Sequence, residues 1–283
     1  MFESIRSGNL NRLLNIVEKN RTGLGKSLEK IASGRRLNRA GEDAASLSIS
    51  TRLRSEIRAL TQAVRNVENG THFIRSAEGG LAAISDLVGR GRELALQAAN
   101  GTRGSQERQT LQAEFSQIKS EIDRISRSAE FNGQKLLDGS LGAGSATQID
   151  IQAGTGSGPE NRINLNLIES TDAQSLGLAG TDISTADGAL KTLDALDGAA
   201  ETVTASRGNM GAAGNRLIVS ANGLGTRIEN LTQSESKLAD TDLAKEISDL
   251  RSGLLSFQTS IKTLALDLRQ NESATGRLLN FRI

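Results

Sequence analysis

Apolar side chains along this chain recur every three or four residues at both ends, and every second residue in a short middle stretch. Residues 10–31 carry Leu10, Leu14, Val17, Leu24, Leu28 and Ile31, a heptad seam interrupted only at Arg21. With Gly23 and Gly25 inside it, such a helix is marginal alone in water and calls for a partner helix. Residues 33–41 break the pattern as an Arg-rich turn, and Glu42 and Asp43 suit the start of a new helix. From there Leu53, Ile57, Leu60, Val64 and Val67, then Ile74, Leu81, Ile84 and Val88, predict one long helix over 43–99. Gly70, Gly79 and Gly80 read as its soft spots. Asn100 and Gly101 are residues able to close it in the left-handed conformation. Ser105 is then the expected N-cap of a returning helix, with Glu107 in its first turn. Leu111, Phe115, Ile118, Ile122, Ile125 and Ala129 form the seam of that helix. The stretch is a helical hairpin.

After Asn132 and Gly133 the helical period vanishes. Ile149 and Ile151 alternate with polar residues, as do Ile163, Leu165 and Leu167, and GTGSGPEN lies between the two runs. That pattern predicts a β-hairpin with a long loop. Helix restarts after Ser184 and Thr185, with Gly198, Gly208, Gly211 and Gly214 leaving its extent open. Leu217, Leu224, Ile228 and Leu231 share one broad face. Ile247, Leu250, Leu254, Phe257, Ile261, Leu264 and Leu268 then step by three and four without a miss. Both ends of the chain thus present heptads that need partners. The fold class that follows is mainly α, with long helices in a coiled-coil or bundle arrangement and a small β-hairpin region.

Composition narrows the picture. Aromatic residues make up 2% of the 283, with no Trp or Tyr, so burial rests on Leu, Ile, Val and Ala. Long thin helical assemblies suit that palette. A net charge of +1 argues against a dominant nucleic-acid or membrane-surface role, and no window is apolar enough for a membrane-spanning helix. No Cys is present, which removes disulfides and thiolate chemistry. No apolar leader is visible at the start, so composition alone reads as cytosolic. Charge is uneven, however. Residues 1–40 are rich in Lys and Arg, whereas 235–249 carry Glu235, Asp240, Asp242, Glu246 and Asp249. We therefore expect the basic segment from Lys26 to Arg39 to lie beside the acidic one, with Arg35, Arg36 and Arg39 as partners of Asp240 and Asp242.

Candidate chemistry is sparse. His72 is the sole histidine, which excludes a His-based triad or multi-His metal site within one chain. A surface or helix-face histidine is its plain reading. Asp240, Asp242 and Glu246 lack the Gly turn of a calcium loop, and GTGSG at 154–158 lacks the Lys that follows a phosphate loop. No catalytic, cofactor-binding or metal-binding residues are assigned, and no cofactor is expected. The reading is not an enzyme.

Several stretches together resemble bacterial flagellin. Ser33, Gly34, Arg35 or Arg36, Asn38, Glu42, Asp43, Ala44 and Ala45 are similar to its N-terminal signature. Arg90, Arg92, Glu93, Leu94, Ala95, Gln97, Ala98 and Asn100 continue the match, as do Leu111, Gln112, Glu114, Phe115 and Glu121 to Ile125. Phe131, Asn132, Gly133 and Leu136 follow. Nearer the C-terminus, Gly211, Ala212, Asn215 to Leu217, Asn230, Leu231, Asp240, Asp242, Ala244 and Glu246 fit.

The resemblance implies discontinuous domains built from N- and C-terminal segments. Residues 1–41 would pair with 236–283 as an inner-core coiled coil whose seam is the two terminal heptads named above. Residues 42–140 would form the long helix and hairpin of a second layer, 141–183 a β-hairpin and loops without a large outer domain, and 184–235 the returning helix. It implies a structural subunit that polymerises with itself into the flagellar filament for swimming. Export by the flagellar apparatus with its chaperone, without a cleavable signal, and assembly beside cap and hook-junction proteins would place it outside the cell. Arg90, Arg92, Leu94, Gln97 and Glu114 would serve filament packing and are candidates for contact with Toll-like receptor 5. A hook–filament junction protein is the alternative within the superfamily, and a cytosolic coiled-coil scaffold is one outside it.

Overall fold

The computed structural model describes residues 2–142 and 144–280, with side chains over 9–142 and 144–270. The elements run α1 (Phe2–Ser33), α2 (Ala44–Ala99), α3 (Ser105–Ser128), β1 (Glu130–Phe131), β2 (Gln134–Lys135), β3 (Asp150–Gln152), β4 (Arg162–Asn164), α4 (Ala186–Ala239) and α5 (Leu243–Asn280). The fold is mainly α with small hairpins. Two compact units divide it: Met1–Ser55 with Asn230–Ile283, and Glu56–Glu229.

In the Glu56–Glu229 unit, burial along α2 steps by three and four from Leu60, Ala63 and Val67 through Gly91, Ala95 and Ala98 without a break. Large and small side chains alternate along much of that seam, so neighbouring elements interlock with it. Gly70 and Gly91 are where they come closest. A Cβ at Gly70 would stand 3.0 Å from Ile151 Cγ1, and one at Gly91 would stand 3.1 Å from the Phe115 ring and 3.3 Å from Leu196. Gly80 is tighter still, since a Cβ there would stand 2.6 Å from Leu137 Cδ1. Two of the three expected soft spots are therefore packing sites, while Gly79 faces open space. On α4 the buried positions from Ala189 to Leu217 also step by three and four, and Gly198, Gly208 and Gly211 lie on its exposed side. Hence α4 runs unbroken through them.

The turn between α2 and α3 differs from the expectation. Neither Asn100 nor Gly101 is left-handed. The end of α2 is closed instead by Arg108, whose Nε donates to the Ala98 carbonyl at 2.9 Å. The N-cap of α3 is Gly104, with Ser105 the first helical residue; the Gly104 N–H donates to Glu107 Oε2 at 3.2 Å. The left-handed pair sits further on. Asn132 (φ 51°) and Gly133 (φ 78°) make the two-residue turn that joins β1 to β2, an arrangement suited to hairpin twist.

Strands β3 and β4 pair antiparallel with Ile151 opposite Ile163. Side chains of α3 pin the loop that follows. The Asp123 carboxylate accepts from the Ala173 N–H at 2.8 Å, Gln112 Oε1 accepts from the Ile183 N–H at 2.7 Å, and Lys119 Nζ donates to the Thr181 carbonyl at 2.9 Å. Thr185 caps α4, accepting from the Gly188 N–H at 3.0 Å.

In the other unit α1 packs antiparallel against α5, with Lys30 near Glu246, Leu24 near Gly253, and Asn20 Nδ2 donating to Ser260 Oγ at 3.4 Å. The backbone between α1 and α2 joins that between α4 and α5 as a short antiparallel bridge. The Arg36 N–H donates to the Ala239 carbonyl at 2.7 Å and the Thr241 N–H to the Gly34 carbonyl at 3.1 Å.

Candidate assembly surface

The covered face of α1 runs through Leu10, Leu13, Val17, Asn20, Leu24, Ser27 and Ile31, and that of α5 through Glu246, Leu250, Gly253, Phe257, Ser260 and Leu264. Each set steps by three and four, but polar and small residues occupy several positions. Of the expected seam, Leu10, Val17, Leu24, Ile31, Leu250, Phe257 and Leu264 lie on this face. Leu14, Leu28, Ile247, Leu254, Ile261 and Leu268 do not; they keep 43–54% of their surface exposed. The sequence offers two adjacent apolar ridges per helix, and the α1–α5 pair covers only one. Among the described residues, ten of the fifteen exposed large hydrophobic residues belong to these two helices. Apolar surface left open along a whole helix pair is the mark of an interface.

The basic and acidic segments do lie together, yet the ion pairs fall elsewhere than expected. Arg35 Nη2 meets Glu235 Oε1 at 3.3 Å, Arg39 meets Glu29 at 2.9 Å, and Arg36 Nη2 donates to the Leu238 carbonyl at 2.6 Å. Among the described residues neither Asp240 nor Asp242 forms an ion pair. Asp242 is the N-cap of α5, accepting from the Ala244 and Lys245 N–H groups at 3.0 and 3.1 Å. Glu235 is a buried carboxylate whose Oε1 also accepts from Ser50 Oγ at 2.9 Å and Arg54 Nε at 2.5 Å.

Removing Glu235 leaves two guanidiniums without their anion beside buried apolar groups. Their side chains keep 29% and 38% of their surface exposed, so water screens part of the penalty. We expect Glu235→Ala to weaken the terminal unit by about 2–3 kcal/mol. Amide exchange at Arg36 and Thr241, whose N–H groups form the bridge, would accelerate by roughly 30- to 100-fold. Unchanged protection at both amides would show that the cluster does not secure the linker.

On the helical hairpin, Arg90 donates to Glu114 at 2.7 Å and to Glu93 at 2.9 Å, all three exposed. The hydrogen bond from Glu114, then that from Glu93, raises the Arg90 guanidinium above its ordinary value, so it stays charged. Arg92 pairs with Asp197 at 2.8 Å. Gln97 is exposed as well. Leu94 is fully buried, which removes it from any direct surface contact and makes it a core residue of this hairpin. Among the described residues no group of three or more His, Asp or Glu side chains is placed to hold a metal, and no helix is long and apolar enough to cross a membrane.

Comparison with known proteins follows the same lines. Residues 8–141 match the bacterial flagellin N-terminal helical region, and residues 193–272 match the bacterial flagellin C-terminal helical region. The chain is 38% identical over 263 residues to the flagellar filament 30.7 kDa core protein of Treponema maltophilum, covering 90% of this chain and 91% of that protein. It is 38% identical over 254 residues to a flagellin of Halalkalibacterium halodurans, with the same coverage. A putative flagellar hook-associated protein from Vibrio parahaemolyticus has a similar fold, with a TM-score of 0.57 over 70% of this chain and all of that one, at 15% identity.

Proposed function

The chain belongs to the bacterial flagellin family and is a structural subunit of the flagellar filament, and from that premise we propose that the open ridges of α1 and α5 are its principal polymer contacts. The observation that carries this is the row Ile247, Leu254, Ile261 and Leu268, one residue every seven, each 43–45% exposed beside a seam already closed by α1. A heptad ridge of that kind is the unfilled side of a coiled coil, and a helix from another copy has the matching period. The half-covered α1–α5 seam buries too little to hold firmly by itself, so these helices gain their full order on polymerisation.

The same proposal extends to the partners. Loosely held terminal helices suit passage through a flagellar export channel with a chaperone covering the apolar ridge, followed by insertion beneath a filament cap and outside the cell. Arg90 and Glu114 on the α3 side of α2, Arg92 on its α4 side, and the exposed Gln97 serve packing between subunits. When subunits are free, Arg90, Gln97 and Glu114 supply the face for Toll-like receptor 5, with Leu94 supporting it from the core. A cytosolic scaffold would keep a fixed, closed oligomer instead.

Seeded polymerisation followed by negative-stain microscopy, with limited proteolysis of the monomer, tests the reading. Long filaments, and monomer cleavage confined to the α1 and α5 ends, are expected. A protease-resistant oligomer of fixed size that ignores seeds would overturn it.

A further inference from the structure

Two exposed charge rows in the Glu56–Glu229 unit remain without partners. On α2, Arg58, Arg65 and His72 recur every seventh residue, with Glu68 between the last two. On α4, Asp187, Asp194 and Glu201 recur at the same spacing, with Lys191 between the first two. All eight side chains are exposed, and among the described residues none forms a hydrogen bond or ion pair with another side chain. Other charges of these helices are mixed: Glu56, Glu78 and Arg92 are each paired across them, whereas Arg75 and Arg216 are exposed like the two rows.

The two rows cannot meet within one copy. Ion pairs from Arg227 to Glu56, Arg207 to Glu78 and Arg92 to Asp197 set α2 and α4 antiparallel. They place the basic row beside the far part of α4 and the acidic row beside the end of α2. The row centres are separated along the unit by about 40 Å at 1.5 Å per helical residue.

One antiparallel register aligns three charges with their opposites and sets the His72 ring against a carboxylate. Arg58 faces Glu201, Arg65 faces Asp194, Glu68 faces Lys191, and His72 faces Asp187. The inversion at Glu68 is matched by the inversion at Lys191, which a simple positive-against-negative pairing would not require. Because α2 and α4 are antiparallel inside each copy, a second copy shifted along the same axis presents its α4 antiparallel to the first copy's α2. An exposed apolar residue lies in or beside each row: Leu190 next to Lys191, and Ile218 by His72.

We infer that the Arg58–His72 row of one copy docks on the Asp187–Glu201 row of the next, as a heterologous contact that sets the axial register of the polymer. Such a contact does not close on itself and so propagates as a fibre. Flanking charge pairs of this kind choose partner and register more than they supply affinity. The inference rests on the filament reading and specifies a contact within it that is separate from the terminal ridges.

The test compares the full-length chain with Arg58→Glu/Arg65→Glu, with Asp194→Lys/Glu201→Lys, and with all four changes together, by seeded polymerisation at low salt. Each double reversal is expected to raise the critical concentration by about tenfold or more, and the fourfold variant to return it to within about threefold of the parent. Parent-like polymerisation of either double variant would overturn the contact, as would a fourfold variant no better than the doubles. A parent chain that forms no filament at all would instead count against the polymer reading. A second measurement is independent of assembly rates. The chain has no cysteine, so Arg65→Cys with Asp194→Cys introduces the sole pair. Oxidised filaments should give a ladder of covalent multimers, and monomer alone would overturn the register.

Discussion

Replacing Phe115 with Ala lowers the stability of the Glu56–Glu229 unit by about 3–5 kcal/mol, the range for deleting a fully buried ring. Among the described residues, Phe115 is the largest side chain with no exposed surface. Its ring fills the space that Gly91 leaves on α2, at the point where Leu196 of α4 also reaches α2, so three helices meet around it. No neighbour can close the gap without moving a helix backbone. Lys119 lies over the ring at 5.2 Å while its Nζ donates to the Thr181 carbonyl, so the ring also steadies the loop before α4. Thermal unfolding followed by helix circular dichroism should show a midpoint lower by roughly 10 °C, as expected for a unit of this size. Phe115→Leu, which retains most of the volume, should cost less than half as much. A loss below about 1 kcal/mol for the Ala variant would mean that the three-helix junction is not the unit's keystone.

That junction also shows what periodicity could and could not reveal. The large members of the α2 seam, among them Leu60, Val67, Ile74, Leu81, Ile84 and Val88, stand out because no polar residue would serve there. Ala63, Gly70, Ala77, Gly91, Ala95 and Ala98 complete the same seam but carry too little side chain to signal burial. Their role comes from what enters the space, such as Ile151 at Gly70 and Phe115 at Gly91. Asn132-Gly133 had a local signal, since that dipeptide favours a left-handed two-residue turn, yet the strands it joins are too short to show alternation. Leu94, expected as a contact residue, is buried instead because it stands beside Ala95 on the covered side of α2. The partners of Arg35 and Arg39 were beyond sequence reasoning because proximity is not geometry: Asp242 is taken by the α5 N-terminus, and Glu235 reaches inward from the last turns of α4.

At the chain ends the difficulty is of another kind. Leu250, Leu254, Phe257 and Ile261 satisfy one heptad about as well as another, because α5 has two apolar ridges side by side. A single chain supplies only α1 to cover them, so which ridge is inside depends on a partner that the sequence does not contain. Asn20 and Ser260 mark the covered seam by their mutual hydrogen bond, and polar pairs of this sort fix register at some expense of stability. The uncovered ridge is the more uniformly apolar of the two.

Changing Leu254 and Ile261 to Lys abolishes filament growth while leaving the monomer almost untouched. Both residues are nearly half exposed, at 43% and 44%, so their replacement in the free chain is a surface substitution worth about 0.5 kcal/mol or less each. In the filament the balance reverses. Each variant subunit forfeits burial of two branched side chains, roughly 1 kcal/mol apiece for the half that remains to be covered. It must also desolvate two ammonium groups without partners, at several kcal/mol in total. A deficit of about 5 kcal/mol per added subunit raises the critical concentration by three orders of magnitude or more. Sedimentation of seeded samples should therefore leave the variant wholly in the supernatant at concentrations where the parent pellets. Its melting curve and monomer proteolysis pattern should match the parent. Ser256 lies off the ridge, so Ser256→Lys serves as the charge control and should polymerise. Filaments from the Leu254→Lys/Ile261→Lys variant at parental concentration would show that the ridge faces solvent in the polymer, and the growth contacts would then have to be sought on the Glu56–Glu229 unit alone.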